Sequence, residues 1–293
     1  MPTVSRRKRS AVRRAPRSAR DAPSPRHRRR LPWWPGRRAR QRLARTWRRA
    51  PGPLRVALLL AALAGLALAV NWIYQVARKP TELFFPVSGT LYKTAAESWR
   101  EYGPLYRRFS TARVSAPLLA ALAQVEGSGN PIVRTYWRWS WDGPPLAMYR
   151  PASSAVGMYQ MTDGTFAEAQ HYCIREHRVI QEGAWDDLHA CWFNRLYFRV
   201  LPSHAVELTA AYLDRHIAAA LAQAHGRAPE AHELQQLAAV IHLCGAGAGE
   251  AFARRGFRLS PGQRCGDHDA REYVSRVERM REVFSRLAAR ESP

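Results

Sequence analysis

Hydrophobic positions along the chain fall into two regimes. Val56-Ala57-Leu58-Leu59-Leu60-Ala61-Ala62-Leu63-Ala64-Gly65-Leu66-Ala67-Leu68-Ala69-Val70 is an uninterrupted apolar run that continues to Trp72-Ile73-Tyr74, with Asn71 its only polar member. A stretch of this length can cross a hydrocarbon core about 30 Å thick, and it predicts a transmembrane anchor over 54–76. Beyond it the apolar residues recur at helical spacing. Candidate helices cover 116–126, 163–173, 184–199, 205–225, 230–243 and 268–289, with a further helical stretch from Ala95 to Tyr102. In the last helix Tyr273, Val277, Met280, Phe284 and Leu287 follow intervals of four, three, four and three, the mark of a core-facing stripe. No internal repeat is present, and no alternating stretch exceeds a few residues. The expectation is therefore a mainly α protein in four parts: a disordered Arg-rich tail over 1–53, the anchor, a linker with an N-terminal helix over 77–112, and a folded domain over 113–290.

Charge sharpens this division. The formal net charge is +23, yet residues 1–53 hold 19 Arg and Lys against one acid, Asp21, while the remainder is nearly balanced. The tail is rich in Arg, Pro, Ser and Ala and poor in large aliphatic residues, so it lacks the means to bury a core. Arginines before an apolar span hold that end in the cytoplasm, which exports the C-terminal part. Trp72 and Tyr74 suit the outer interface. A cleaved signal peptide ending at Ala67-Leu68-Ala69 competes with the anchor, against a charged region far longer than such signals carry. Fixing topology and meeting anionic lipid heads account for the arginines; no nucleic-acid fold accompanies them, and no specific nucleic-acid binding is expected.

Candidate chemistry centres on Glu126. Leu118, Leu122 and Val125 form an apolar stripe and Glu126 lies beside it, just before Gly127 and Gly129 break the helix. Pro117 suits the first turn and Ser115 is available as a cap. A carboxylate on an apolar face at a helix C-terminus loses hydration and meets negative partial charge, and both effects raise its pKa toward the range of a proton donor. A solvent-facing glutamate at a helix end is the plain alternative.

A second segment, Ser154-Ala155-Val156-Gly157-Met158-Tyr159-Gln160-Met161-Thr162-Asp163-Gly164-Thr165, changes the weighing. Together with Glu126…Asn130-Pro131 it resembles the lytic transglycosylases of the lysozyme-like superfamily (the SLT domain). Their pattern is Glu-Ser-x-x-Asn-Pro followed by Gly-Leu-Met-Gln-(Leu/Ile)-Met-Pro-x-Thr. Glu126, Asn130, Pro131, Gly157, Gln160 and Thr165 match, and Met158 and Met161 are close substitutes. The family's later Ala-Tyr-Asn-Ala-Gly-x-Gly run is matched more loosely by Leu243-Cys244-Gly245-Ala246-Gly247-Ala248-Gly249. The likeness spans roughly 113–255. Three departures stand out: Gly127 replaces the serine after the acid (Ser128 is one residue on), Asp163 replaces the proline, and Cys244 replaces the tyrosine that stands near the acid, with His242 two residues earlier. Tyr159 offers a substitute phenol.

The resemblance implies a lysozyme-like helical domain and one-carboxylate chemistry on peptidoglycan. Glu126 would protonate the oxygen leaving N-acetylmuramic acid, the sugar's N-acetyl group would support the developing positive charge, and the ionised Glu126 would then take the proton of the C6 hydroxyl as it attacks C1. The product is a 1,6-anhydromuramoyl end. Substrate contacts are expected from Ser128, Asn130, Gly157, Tyr159, Gln160, Thr165, Gly245, Ala246 and Gly247. The aromatic run Tyr136-Trp137-Arg138-Trp139-Ser140-Trp141 suits stacking on sugar rings, with Tyr136, Trp137 and Trp139 the candidates for the glycan groove. Two rivals remain: a goose-type lysozyme-like hydrolase, with Asp142 or Asp163 as the second acid, and a catalytically weak wall-binding scaffold within an envelope complex. Neither a cofactor nor a metal is expected, because His171 or His189 with the cysteines lacks close ligand spacing. In an exported domain Cys173, Cys191, Cys244 and Cys265 favour disulfides, and of the three pairings the local one, Cys173–Cys191 with Cys244–Cys265, is the working hypothesis. The implied location is the bacterial inner membrane, with the catalytic domain in the periplasm.

Overall fold

The computed structural model describes residues 36–141, 144–181, 183–184, 186–187, 190–224 and 228–291. Most of the tail, with Asp142 and His189, lies outside them. The chain divides into two compact units, Met1–Leu63 and Ala64–Pro293. In the first, α1 spans Arg37–Arg49 with Arg48 and Arg49 in its last turn, where cations meet the negative helix end. This part of the tail is helical where disorder was expected: outside its two apolar residues, Leu43 and Trp47, α1 is mostly Arg, Ala and Gln, all strong helix formers. The apolar helix α2 (Gly52–Arg78) follows, and Arg55 folds back to donate to the Ala50 carbonyl at 2.9 Å. α2 is the one helix among the described residues long and apolar enough to cross a membrane, and its leucines are exposed.

In the second unit a 3-10 turn (Pro80–Phe84) and the short α3 (Phe85–Ser88) lead to α4 (Ala95–Arg108). α4 starts at a capping box: the Thr94 hydroxyl accepts from the Glu97 amide while the Glu97 carboxylate accepts from the Thr94 amide at 2.8 Å. α5 (Ala116–Gly127) opens with Ser115 capping the Leu118 amide and Pro117 in the first turn. From Leu118 to Ala123 every side chain is fully buried, so α5 is the axis of the core rather than a one-sided surface helix. α10 (Ala270–Glu291) and α4 pack against it. The expected stripe of α10 supplies Tyr273, Val277 and Phe284 to this core. α7 (Pro202–Gln223), α8 (Ala231–Cys244) and α9 (Ala246–Arg254) complete the helical layer.

Two expected helices are corrected. α6 covers only Asp163–Ala169, and Tyr172–Arg175 (β3) instead pairs with Arg178–Gln181 (β4) as a hairpin. Glu176 and His177 both adopt left-handed conformations, φ 49° and 61°, the geometry of a two-residue turn whose twist suits a hairpin; without glycine or asparagine there, the turn leaves no composition signal. Within the helix expected over 184–199, the described residues form one 3-10 segment, Trp192–Leu196. Cys191 starts that turn and is bonded to Cys173 on β3, which ties the segment to the hairpin. Two further short hairpins are present, β1 (Trp137–Trp139) with β2 (Tyr149–Pro151) and β5 (Arg264–Cys265) with β6 (His268–Asp269). Both disulfides follow the sequence-local pairing; Cys244–Cys265 links the end of α8 to the hairpin before α10.

Candidate functional site

Glu126 stands in the last turn of α5, with 18% of its side chain exposed. Two side chains from distant parts of the chain meet it. Tyr273 of α10 donates its hydroxyl proton to Glu126 Oε1 across 2.5 Å, within the range of short charge-assisted bonds. His242 of α8 brings Nε2 to 3.6 Å from the same oxygen. Burial, then the nearby Glu126 charge and the bond itself, push the Tyr273 hydroxyl well above the usual phenol range, so it remains a donor. Burial also lowers the pKa of His242, against opposing contributions from the Glu126 charge and a hydrogen bond to the Tyr159 backbone. His242 is therefore a neutral imidazole at neutral pH.

The helix ends where it does because of the next segment. Ser128 takes a left-handed conformation (φ 49°) as the C-cap of α5, and its carbonyl accepts from the Lys93 amide. A Cβ on Gly127 would lie 2.9 Å from both the Cα and the carbonyl oxygen of Met158. The glycine where the resembled family has serine is thus the condition for the second motif to lie directly on the helix end. The second motif is itself a tight turn: Val156 and Met161 bond to one another, Gly157 holds φ 80°, and Gln160 holds φ 45°. The Gln160 amide donates to the Gly157 carbonyl at 2.9 Å and the Val133 carbonyl at 3.3 Å, binding the two motif segments together.

A cavity of about 240 Å³ lies beside this junction. Gln160, Met161, Thr162 and Thr165 line it from the second motif, Thr209 and Tyr212 from α7, and Ile241, His242, Leu243 and Gly245 from the third segment. Glu126 is not part of its wall; His242, which is, lies 3.6 Å from it. Thr209 is buried, and its hydroxyl oxygen has no hydrogen-bond partner among the described residues. A larger cavity of about 400 Å³ beside the Cys173–Cys191 bond is lined by none of the motif residues.

The structure sorts the candidate residues into three groups. Glu126, Gln160, Thr165 and Gly245 gather at the junction and its cavity; Ala246 and Gly247 follow Gly245 as the first turn of α9, and Gly247 is exposed. Asn130 and Tyr159 are fully buried braces. The Asn130 amide donates to the Ser88 carbonyl and its oxygen accepts from the Ile132 amide at 3.0 Å, while the Tyr159 hydroxyl donates to the Leu119 carbonyl at 3.1 Å. Neither offers a free polar edge to a ligand, and the substitute phenol is Tyr273. Gly157 is buried, with the Arg199 carbonyl where a Cβ would stand, so it too is structural. Tyr136, Trp137 and Trp139 are absent from the cavity wall: Trp137 donates from its indole to buried Glu82 at 2.9 Å, and Tyr136 and Trp139 are exposed on the β1–β2 hairpin. Asp163 is held at 2.6 Å by Arg199.

Reasoning from sequence missed Tyr273, whose place in an apolar stripe hid its polar end; a tyrosine at a fully buried position, needing a partner for its hydroxyl, was the available signal. Among the described residues no three His, Cys, Asp or Glu side chains converge as a metal site requires. No family model matches the chain, and no curated protein matches it in sequence.

Proposed function

We propose that the exported part of this chain is a membrane-anchored lytic transglycosylase of lysozyme-like fold, cutting the bond between N-acetylmuramic acid and N-acetylglucosamine in peptidoglycan. One observation carries the reading: Glu126, largely buried at the end of α5, is held by the Tyr273 phenol and faced by the neutral imidazole of His242, which lines a cavity together with residues of the second and third motif segments. Glu126 as acid gives its proton to the leaving oxygen. Tyr273 then stabilises the charge developing on the carboxylate, a donor already in position before reaction. As base, Glu126 takes the proton of the C6 hydroxyl while that oxygen attacks C1, so bond cleavage and ring closure consume no water. Thr162 and Thr165 line the cavity with hydroxyls that already bond to one another at 3.1 Å. The apolar helix α2 and the two disulfides support an inner-membrane anchor with the domain in the periplasm.

One feature favours a second reading, a goose-type hydrolase. Neutral His242 near Glu126 is a group that can accept a proton from water. Digestion of sacculi by the full chain in detergent, with mass spectrometry of the released sugars, separates the two. Anhydro ends support the transglycosylase and reducing ends the hydrolase. Glu126→Gln abolishes release under either; equal and negligible release by wild type and variant refutes both and leaves a wall-binding scaffold.

A further inference from the structure

We propose that the β1–β2 hairpin is a lipid-interface foot, resting in the headgroup layer on the exported side of the membrane beside the end of α2. The inference rests on α2 crossing the bilayer and is separate from the catalytic reading.

Depth is set by α2 itself. At 1.5 Å per residue, a hydrocarbon layer of roughly 30 Å takes up about 20 residues, so a span starting at Leu54 leaves the hydrocarbon near Ile73. Asn71 and Gln75 straddle that level. Both are buried, and both donate side-chain amide protons to one acceptor, the Leu146 carbonyl, at 2.7 and 2.9 Å. Leu146 lies in the loop joining β1 to β2. One turn further, Lys79 donates to the Ser153 and Ala155 carbonyls beyond β2. The hairpin is therefore fixed to the helix at the height where hydrocarbon gives way to headgroups.

Its composition fits that height. Trp137, Trp139 and Tyr149 share one face, with ring centroids 5.1 and 4.9 Å apart, and Trp141 stacks on Trp139 at 6.0 Å. Trp139 is 56% exposed and Trp141 74%, an aromatic surface with no protein covering among the described residues. Indole rings with one apolar body and one polar edge concentrate at membrane interfaces. The opposite face carries Arg138 and Arg150 directly across from each other. Like charges at such a position repel, and lipid phosphates offset that repulsion. Between the hairpin and α2, a groove of about 420 Å³ lined by Leu68, Asn71, Trp72, Arg134, Trp137 and Tyr149 is wide enough for part of a lipid. The run that suggested a sugar-stacking loop is, in this view, the second contact of the domain with the bilayer. It would hold the domain against the membrane surface rather than leave it on a free tether.

The four native cysteines are paired, so an introduced cysteine is the one reactive thiol. The full chain carrying Trp139→Cys or Trp141→Cys is labelled with a nitroxide and reconstituted in phosphatidylcholine–phosphatidylglycerol vesicles, with Arg255→Cys as an exposed control. The ratio of collisions with oxygen to collisions with a water-soluble nickel chelate should be several-fold higher at 139 and 141 than at 255. In unlabelled protein, lipids brominated near the headgroup should quench a larger fraction of the tryptophan emission in wild type than in Trp139→Phe/Trp141→Phe, a comparison that leaves Trp72 and the other tryptophans in place. Control-like ratios at both positions in a chain that resists carbonate extraction overturn the foot while leaving the anchor. Labels shielded by glycan fragments but not by lipid also overturn it and return the face to the wall. Extraction by carbonate overturns both the foot and the anchor.

Discussion

Replacing Tyr273 by phenylalanine tests the arrangement around Glu126 with the least disturbance. The ring stays, so the packing of α10 on α5 is kept and one hydroxyl is lost. That hydroxyl donates to Glu126 Oε1 at 2.5 Å from a residue only 2% exposed. A hydrogen bond to a charged group is worth about 1.5–3 kcal/mol. Tyr273 bonds the carboxylate most strongly once the proton has left, so most of this is gained in the transition state. At about 1.4 kcal/mol per factor of ten, turnover of sacculi should fall roughly 10- to 100-fold. KM should hardly move, since the phenol touches the carboxylate and has no place in the cavity wall. Stability should change by no more than about 1 kcal/mol, because the carboxylate keeps 18% exposure and water can replace the phenol. The assay is muropeptide release as a function of substrate concentration, alongside thermal unfolding. Wild-type turnover in Tyr273→Phe would refute the reasoning. A loss matched by a collapse in melting temperature would show the tyrosine to be a core brace instead.

The remaining predictions concern the frame of the site. Gly127→Ser, which restores the residue of the resembled family, should lower stability by about 1–3 kcal/mol, the usual cost of overpacking, because its Cβ meets the Met158 backbone at 2.9 Å; chemical denaturation measures it. His242 has a lowered folded pKa, so below about pH 6.5, the ordinary histidine value, the unfolded chain binds the proton more readily and stability falls with pH. Buried Glu207 acts oppositely: its raised folded pKa favours the folded state at low pH, and that contribution fades as pH rises above about 4.5. The difference in melting temperature between wild type and His242→Gln isolates the histidine, and it should change between pH 7 and 5; a constant difference would show that His242 is not held neutral. Removing the Cys244–Cys265 bond, which spans 21 residues, should cost about 3 kcal/mol by loop entropy, read as a lower denaturant midpoint for the double alanine variant.

Local pattern alone determined much of this protein. The apolar run of α2, the cap of α5 and the stripe of α10 are properties of neighbouring residues, and helical spacing makes them legible before folding. The disulfide pairing follows the same logic of proximity, and the motif spacing singled out Glu126, Gln160 and Thr165. Only the tertiary structure decided what surrounds the carboxylate. Tyr273 and Glu126 are separated by 147 positions, and nothing local distinguishes a tyrosine that fills a core from one that also holds an acid. The same limit governs the other candidates. Asn130 and Tyr159 looked like ligand contacts because polar groups beside a motif suggest chemistry, yet burial gave their hydrogen bonds to the backbone. Trp137 and Trp139 suggested a sugar platform because rings stack on sugars; where their hairpin sits was decided by Asn71 and Gln75, far earlier in the chain, which attach it beside the apolar helix. Residue type states what a side chain can bind, whereas its partner is set by which distant segment the core brings within 3 Å.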